Sequence, residues 1–155
     1  MKIGNRVACI LVVGLAGCSS SPYVPPTGGD VATLTLRNDT PFDGGATTYK
    51  VAEDCRHMLD LATLKARTEQ RVVIPAGAPW SVTVYTAGYQ RTCHTTGTFL
   101  PAKGGDYRLV YRMPPDFLSC SISVVDAASG QVHPMVYKRT LGDGFAADRA
   151  MCGPR

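Results

Sequence analysis

From Val31 onward this chain never runs far without a turn residue, and the short runs between turns alternate in polarity. Residues 80–86, WSVTVYT, show it best: Trp80, Val82 and Val84 fall on one side, Ser81, Thr83 and Tyr85 on the other. A period of two is the mark of a strand with one buried face. Residues 31–37, VATLTLR, set Ala32, Leu34 and Leu36 against Val31, Thr33 and Thr35 before the turn-rich NDTPFDGG stops them. Residues 46–51 carry β preference in Thr47, Thr48, Tyr49 and Val51, and residues 71–74 end at P-A-G-A-P. In residues 90–100, Cys93 and Phe99 are in phase. In residues 107–113, Tyr107, Leu109 and Tyr111 oppose Arg108, Val110 and Arg112. Residues 119–125 place Cys120, Ile122 and Val124 together, so Cys120 points into a core. Residues 131–138 are broken by Pro134, which suits an edge strand.

One stretch competes with this pattern. Residues 54–65, DCRHMLDLATLK, hold Met58, Leu61, Ala62 and Lys65 at helical spacing and predict a short helix or turn crossing between sheets; residues 145–151 suggest one further turn. Seven or eight short strands with turns every 8–12 residues predict an all-β chain. The expected fold is an antiparallel β-sandwich, immunoglobulin-like or transthyretin-like, with one short helical segment; a small antiparallel barrel is the alternative.

The first 18 residues, MKIGNRVACILVVGLAGC, concern location rather than fold. Lys2 and Arg6 form a basic start, and residues 7–15 form an apolar run too short to span a bilayer. Small residues then lead to Cys18, directly after L-A-G. This segment resembles the lipobox of bacterial lipoproteins better than an ordinary secretory signal or a membrane span. The resemblance implies removal of residues 1–17, Cys9 among them, and lipidation of Cys18 with three acyl chains, enough for stable anchoring where one chain is marginal. Ser19, rather than Asp, after that cysteine resembles the pattern for release to the outer membrane in Gram-negative bacteria. Residues 18–30 then read as the lipidated cysteine and a linker, since SSSPYVPPTGGD has three Ser, three Pro, two Gly and no apolar period. The alternative is that Tyr23 and Val24 pack back onto the domain. Residues 31–155 are left as a single domain, a suitable length for one core.

Four further cysteines, Cys55, Cys93, Cys120 and Cys152, in an exported chain read as two disulfides. Three connectivities are possible. The favoured one is Cys55–Cys93 with Cys120–Cys152, because each bridge would pin a less regular segment to a strand.

No catalytic, metal or cofactor site emerges. His57 and His94 lie near Cys55 and Cys93, but no C-x₂₋₄-C spacing exists, and Cys93 and His94 would face opposite sides of a strand; His133 stands alone. There is no G-x-S-x-G or S-x-x-K, and Glu53 and Asp54 are adjacent rather than opposed. The pairs Gly28–Gly29, Gly44–Gly45 and Gly104–Gly105 sit in turns, and none opens a helix. Without Lys2 and Arg6 the chain is nearly neutral, with basic residues scattered and no run of five, so nucleic acid is not an expected partner. Trp80, Tyr107 and Tyr111 are in phase with aliphatic neighbours and belong to the core; Tyr85 and Tyr89 are the better surface candidates, and Tyr137 is a further aromatic. Arg108 and Arg112, with Arg91 and Lys138, could form a cationic patch, although a solubilising face is the favoured reading.

Past residue 19 the similarity to small Gram-negative lipoproteins is architectural only, as in IPAGAPWSVTV and FLPAKGGDYRL. The expected function is a non-enzymatic, lipid-anchored outer-membrane lipoprotein facing the periplasm, binding or scaffolding an envelope protein. Alternatives are an accessory lipoprotein of a secretion or envelope assembly, and an inhibitor of a cell-wall hydrolase acting through an exposed loop.

Overall fold

The computed structural model describes residues 21–52, 55–88, 91–114, 120–135 and 137–141. These form ten strands and no helix: β1 (Ser21–Pro22), β2 (Val31–Asn38), β3 (Gly44–Val51), β4 (Arg56–Leu64), β5 (Glu69–Pro75), β6 (Trp80–Gly88), β7 (Arg91–Phe99), β8 (Asp106–Arg112), β9 (Ser121–Asp126) and β10 (Tyr137–Leu141). They make two open sheets, ordered β1-β4-β3-β6-β7-β10 and β5-β2-β8-β9, packed as a sandwich. Two pairings are parallel, β1 with β4 and β2 with β8, so both sheets are mixed rather than purely antiparallel.

The core follows the alternation in the sequence. Leu34, Leu36, Ile74, Leu109, Tyr111, Ile122 and Val124 from the four-stranded sheet meet Ala46, Leu64, Trp80, Val82, Val84 and Phe99 from the six-stranded one, and all are buried. Each large aliphatic or aromatic side chain so placed contributes roughly 1.5–3 kcal/mol relative to exposure. Gly97, opposite Val82 in β6, has no room for a Cβ, which would meet Met135 and Ile122. Its lack of a side chain lets the segment after β9 lie close against β7.

The helical expectation for residues 54–65 is overturned, because residues 56–64 form β4. The register between β3 and β4 shifts at Ala46/Thr47: Ala46 pairs with Ala62 and Thr47 with Asp60, leaving Leu61 as an extra residue. That bulge resets the phase of the strand, so Leu61 and Leu64 both reach the core. A spacing of three apolar residues, which resembles one helical turn, is here a strand with a bulge.

The favoured disulfide pairing is also overturned. Cys93 is bonded to Cys120, with Cα atoms 6.1 Å apart. Cys93 lies on the inward side of β7, opposite Thr86, and Cys120 is buried just before β9. The bridge therefore joins the two sheets across the core instead of pinning loops. Cys55 is likewise disulfide-bonded, while Cys152 lies outside the described residues.

The outward side of the larger sheet departs from a simple half-buried strand. Thr47, Tyr49, Ser81, Thr83, Thr96 and Thr98 are all buried, although they alternate with core residues. The hydroxyls of Tyr49, Ser81, Thr83, Thr96 and Thr98 bond one another across β3, β6 and β7. Thr83 Oγ1 lies 2.7 Å from the Tyr49 hydroxyl and 2.6 Å from Thr96 Oγ1. Ser81 Oγ lies 2.6 Å from Thr98 Oγ1 and donates to the Ala52 carbonyl at 2.7 Å. Such mutual pairing removes the cost of burying these polar groups.

Candidate functional site at the near end of the sandwich

The sandwich has two ends. The near end, where the chain comes in through β1, carries the β3–β4 hairpin and residues 76–79, 100–105 and 127–131. The far end carries residues 39–43 and 65–68.

At the near end the chain is held as a strap. Ser21 and Pro22 lie parallel beside Leu59 and Asp60 of β4. The Tyr23 amide donates to the Asp60 carbonyl at 2.8 Å, and the Tyr23 hydroxyl donates to the Val73 carbonyl on β5 at 2.9 Å. Beyond β1, β4 borders the larger sheet, and β5 is an edge of the smaller one. Tyr23 is thus bonded to a border of each layer and closes that side of the sandwich, its ring packed against the core. Burial pushes the Tyr23 phenol up to about 12. Pro22 lacks an N–H and fixes an extended φ, which suits a short strand on a sheet edge. Residues 19–30 are therefore not tether throughout, since Ser21, Pro22 and Tyr23 are paired with or bonded to β4 and β5. Tyr23 packs back, whereas Val24 is 77% exposed.

Below the near-end loops lies a cluster of rings. Phe99 sits edge-on to Trp80 at 6.0 Å between centroids, to Tyr107 at 5.4 Å and to His133 at 5.7 Å. The Tyr107 hydroxyl accepts the Ala102 amide at 2.9 Å and so fixes the loop before β8. The Gly77 amide donates to the Pro101 carbonyl at 2.8 Å, joining the two neighbouring loops. At the hairpin, Cys55 and His57 both take left-handed backbone conformations, with φ of 50° and 56°, which non-glycine residues adopt at a cost of about 1 kcal/mol or more.

The two ends differ in surface chemistry. The exposed large apolar residues among those described are Val24, Met58, Val73, Leu100 and Val132. Val24 follows the strap, and Met58 lies at the start of β4. Val73 is near the close of β5, Leu100 follows β7, and Val132 bridges to Val125 near the end of β9. Met58, Val73, Leu100 and Val132 belong to the near half of the fold. Ion pairs occur at both ends: Arg37 with Asp39 at 2.6 Å, Lys65 with Asp43 at 2.8 Å and Arg112 with Asp39 at 3.8 Å at the far end, and Lys103 with Asp30 at 2.8 Å and Arg71 with Asp106 at 3.3 Å in the near half. Buried Asn38 holds the far end together. Its amide donates to the Phe42 carbonyl at 2.8 Å and the Lys65 carbonyl at 3.2 Å, and its oxygen accepts from the Thr40 amide and hydroxyl.

The other residues singled out in the sequence are dispersed. Cys18 and Cys152 lie outside the described residues, as do Glu53, Asp54 and Tyr89. Trp80, Tyr107 and Tyr111 are buried as expected. Tyr85, on the outward side of β6, stacks on His94 with centroids 5.5 Å apart, and burial holds the His94 imidazole below its usual range. The four cations suggested for a patch are divided between the two sheets. Arg108 and Arg112 stand on β8 in the smaller sheet, whereas Arg91 and Lys138 belong to β7 and β10 in the larger one. Among the described residues no three His, Cys, Asp or Glu side chains gather at metal-binding spacing. The strap corresponds to the alternative weighed for the linker, that Tyr23 packs back onto the domain, and its signal is that Tyr23 is the only aromatic in a proline-rich stretch. The Asn38 node had no such signal. Compared with known proteins, the chain matches no family model and no curated sequence.

Proposed function

We propose that this chain is a lipid-anchored outer-membrane lipoprotein whose sandwich faces the periplasm and acts by binding or scaffolding in the cell envelope, not by catalysis. The observation that carries the reading is Cys18, placed directly after L-A-G behind a short basic and apolar leader. What the fold adds in support is proximity: Ser21, docked beside Leu59 of β4, follows that cysteine by only three positions. An anchor there would hold a rigid two-layer domain at the membrane rather than at the end of a long leash.

Fractionation of cells expressing the wild type beside Cys18→Ala tests the proposal, with intact mass of both products. The expected wild type is a triacylated chain beginning at Cys18 in the outer-membrane fraction, and the variant should remain unprocessed. A soluble, unlipidated wild type refutes the anchor. Crosslinking in cells followed by affinity capture tests the binding role, and should return one envelope protein above background.

A further inference from the structure

We infer that the near end of the sandwich rests on the lipid surface itself, with Leu100, Val132 and Met58 at the headgroup layer and the far end held away from it. This rests on the lipid anchor proposed above and adds an orientation to it.

Chain length supplies the first argument. Ser21 is three positions after Cys18, so their Cα atoms lie at most about 11 Å apart. Ser21 is level with Leu59 in β4, and β1 runs parallel to β4. The chain therefore arrives from the side of the β3–β4 hairpin. Arg56, where β4 begins beside the hairpin turn, is three positions before Leu59, or about 10 Å along the strand. Lys65, at the far end, is six positions beyond Leu59, about 20 Å the other way. A lipidated Cys18 can be level with the start of β4 and cannot reach the level of the far end.

Surface chemistry supplies the second. Met58, Val73, Leu100 and Val132, four of the five exposed large apolar side chains among the described residues, belong to the near half, and none of the five lies in the far-end loops; the near half also carries the Lys103–Asp30 and Arg71–Asp106 ion pairs, whose charges can stay among the headgroups. Apolar side chains at headgroup level bury surface that would otherwise face water, and each adds to what the acyl chains already provide. The layer they must enter is thin, since headgroups add only about 5–8 Å on each side of the hydrocarbon. The ring cluster of Trp80, Phe99, Tyr107 and His133 supports the loops from beneath, so the contact surface is preformed.

The test uses the lipidated full-length protein on phosphatidylethanolamine–phosphatidylglycerol vesicles. Trp80 is the single tryptophan, so a Trp80→Phe background carries either Leu100→Trp or Arg67→Trp as a reporter of depth. Lipids brominated near the top of the acyl chains should quench the first reporter and leave the second unchanged. In parallel, the unaltered protein should show amide exchange slowed by vesicles at residues 76–79 and 100–105, but not at 39–43 and 65–68, which keeps the test open should either variant misfold. Failure to float with the vesicles overturns the anchor and the orientation with it. Flotation with neither end quenched or protected overturns the orientation alone and leaves the apolar end for a protein partner. Quenching at Arg67→Trp reverses it.

Discussion

Removing the Tyr23 hydroxyl is the sharpest test of the strap. Tyr23→Phe keeps the ring against the core and deletes one bond, the 2.9 Å donation to the Val73 carbonyl; a single bond of this kind contributes about 1 kcal/mol net. Tyr23→Ala also removes the ring. A buried aromatic covers 150–250 Å², and Tyr23 is half-buried. Some 80–100 Å² at about 25 cal/mol per Å² gives roughly 2 kcal/mol. The total for Tyr23→Ala is then about 3 kcal/mol, or ~10 °C in Tm for a domain of this size. The alkaline titration is a second readout. Burial raises the Tyr23 phenol from 10.0 to about 12, so the folded state holds this proton more tightly than the unfolded chain does. Its contribution is whole below pH 10 and is lost as the pH rises toward 12. The tyrosine absorbance of wild type minus Tyr23→Phe should therefore show one phenol titrating well above 10. If Tyr23→Ala leaves both Tm and the exchange of the Asp60 and Val73 region unchanged, the strap contributes nothing and the reasoning from its two hydrogen bonds is wrong.

Three other perturbations follow from the described contacts. Replacing both Cys93 and Cys120 by Ala opens a link spanning 27 residues and should cost about 3.5 kcal/mol by loop-entropy reckoning; peptide mapping without reduction should return Cys93–Cys120 and, from the remaining cysteines of the processed chain, Cys55–Cys152, and a Cys55–Cys93 peptide would refute the cross-sheet bridge. Asn38→Ala should cost about 3 kcal/mol in urea unfolding, since four hydrogen bonds are lost and part of the freed groups can rehydrate; Asn38→Asp should be worse at pH 7 than at pH 4, because an ionised carboxylate would face two carbonyl oxygens, and a pH-independent penalty would count against that arrangement. Burial lowers the His94 pKa below 6.5, so the unfolded chain binds the extra proton more readily and stability should fall as the pH drops below 6.5; His94→Phe keeps the stack on Tyr85 and should reduce that slope between pH 7 and pH 5.

The inward side of the fold was legible because its alternation is strict. Trp80, Val82 and Val84, like Tyr107, Leu109 and Tyr111, face inward as their phase requires. The same phase placed Cys93 beside Phe99 and Cys120 beside Ile122, both toward the core. Two sulfurs directed into the same core from opposite layers can meet, and that consequence outweighs the idea that disulfides pin loops. Other features were hidden for separate reasons. A bulge turned β4 into a helix-like spacing at Leu61 and Leu64. The assignment of β8 to one sheet and β7 and β10 to the other decides whether four cations share a face, and no local pattern carries it. Serine and threonine on the outward phase read as wet, yet small hydroxyls that bond one another, as Thr83 does with Tyr49 and Thr96, can be buried without penalty.

A docked N-terminus changes what an anchor at Cys18 can do. Were residues 19–30 a free leash, their twelve positions would give a root-mean-square span of about 20 Å and let the sandwich tumble above the bilayer. Docking at Ser21 shortens the leash to about 11 Å at full stretch, so the strap governs both height and tilt. Its strength then has a functional meaning. At about 3 kcal/mol, fewer than ~1 in 100 molecules would be released at any moment, and Tyr23→Ala should convert a fixed orientation into a loose one without touching the lipidation site. Exchange protection at residues 100–105 on vesicles should disappear in that variant while flotation persists. Protection that survives would mean that the near-end loops hold the surface without the strap.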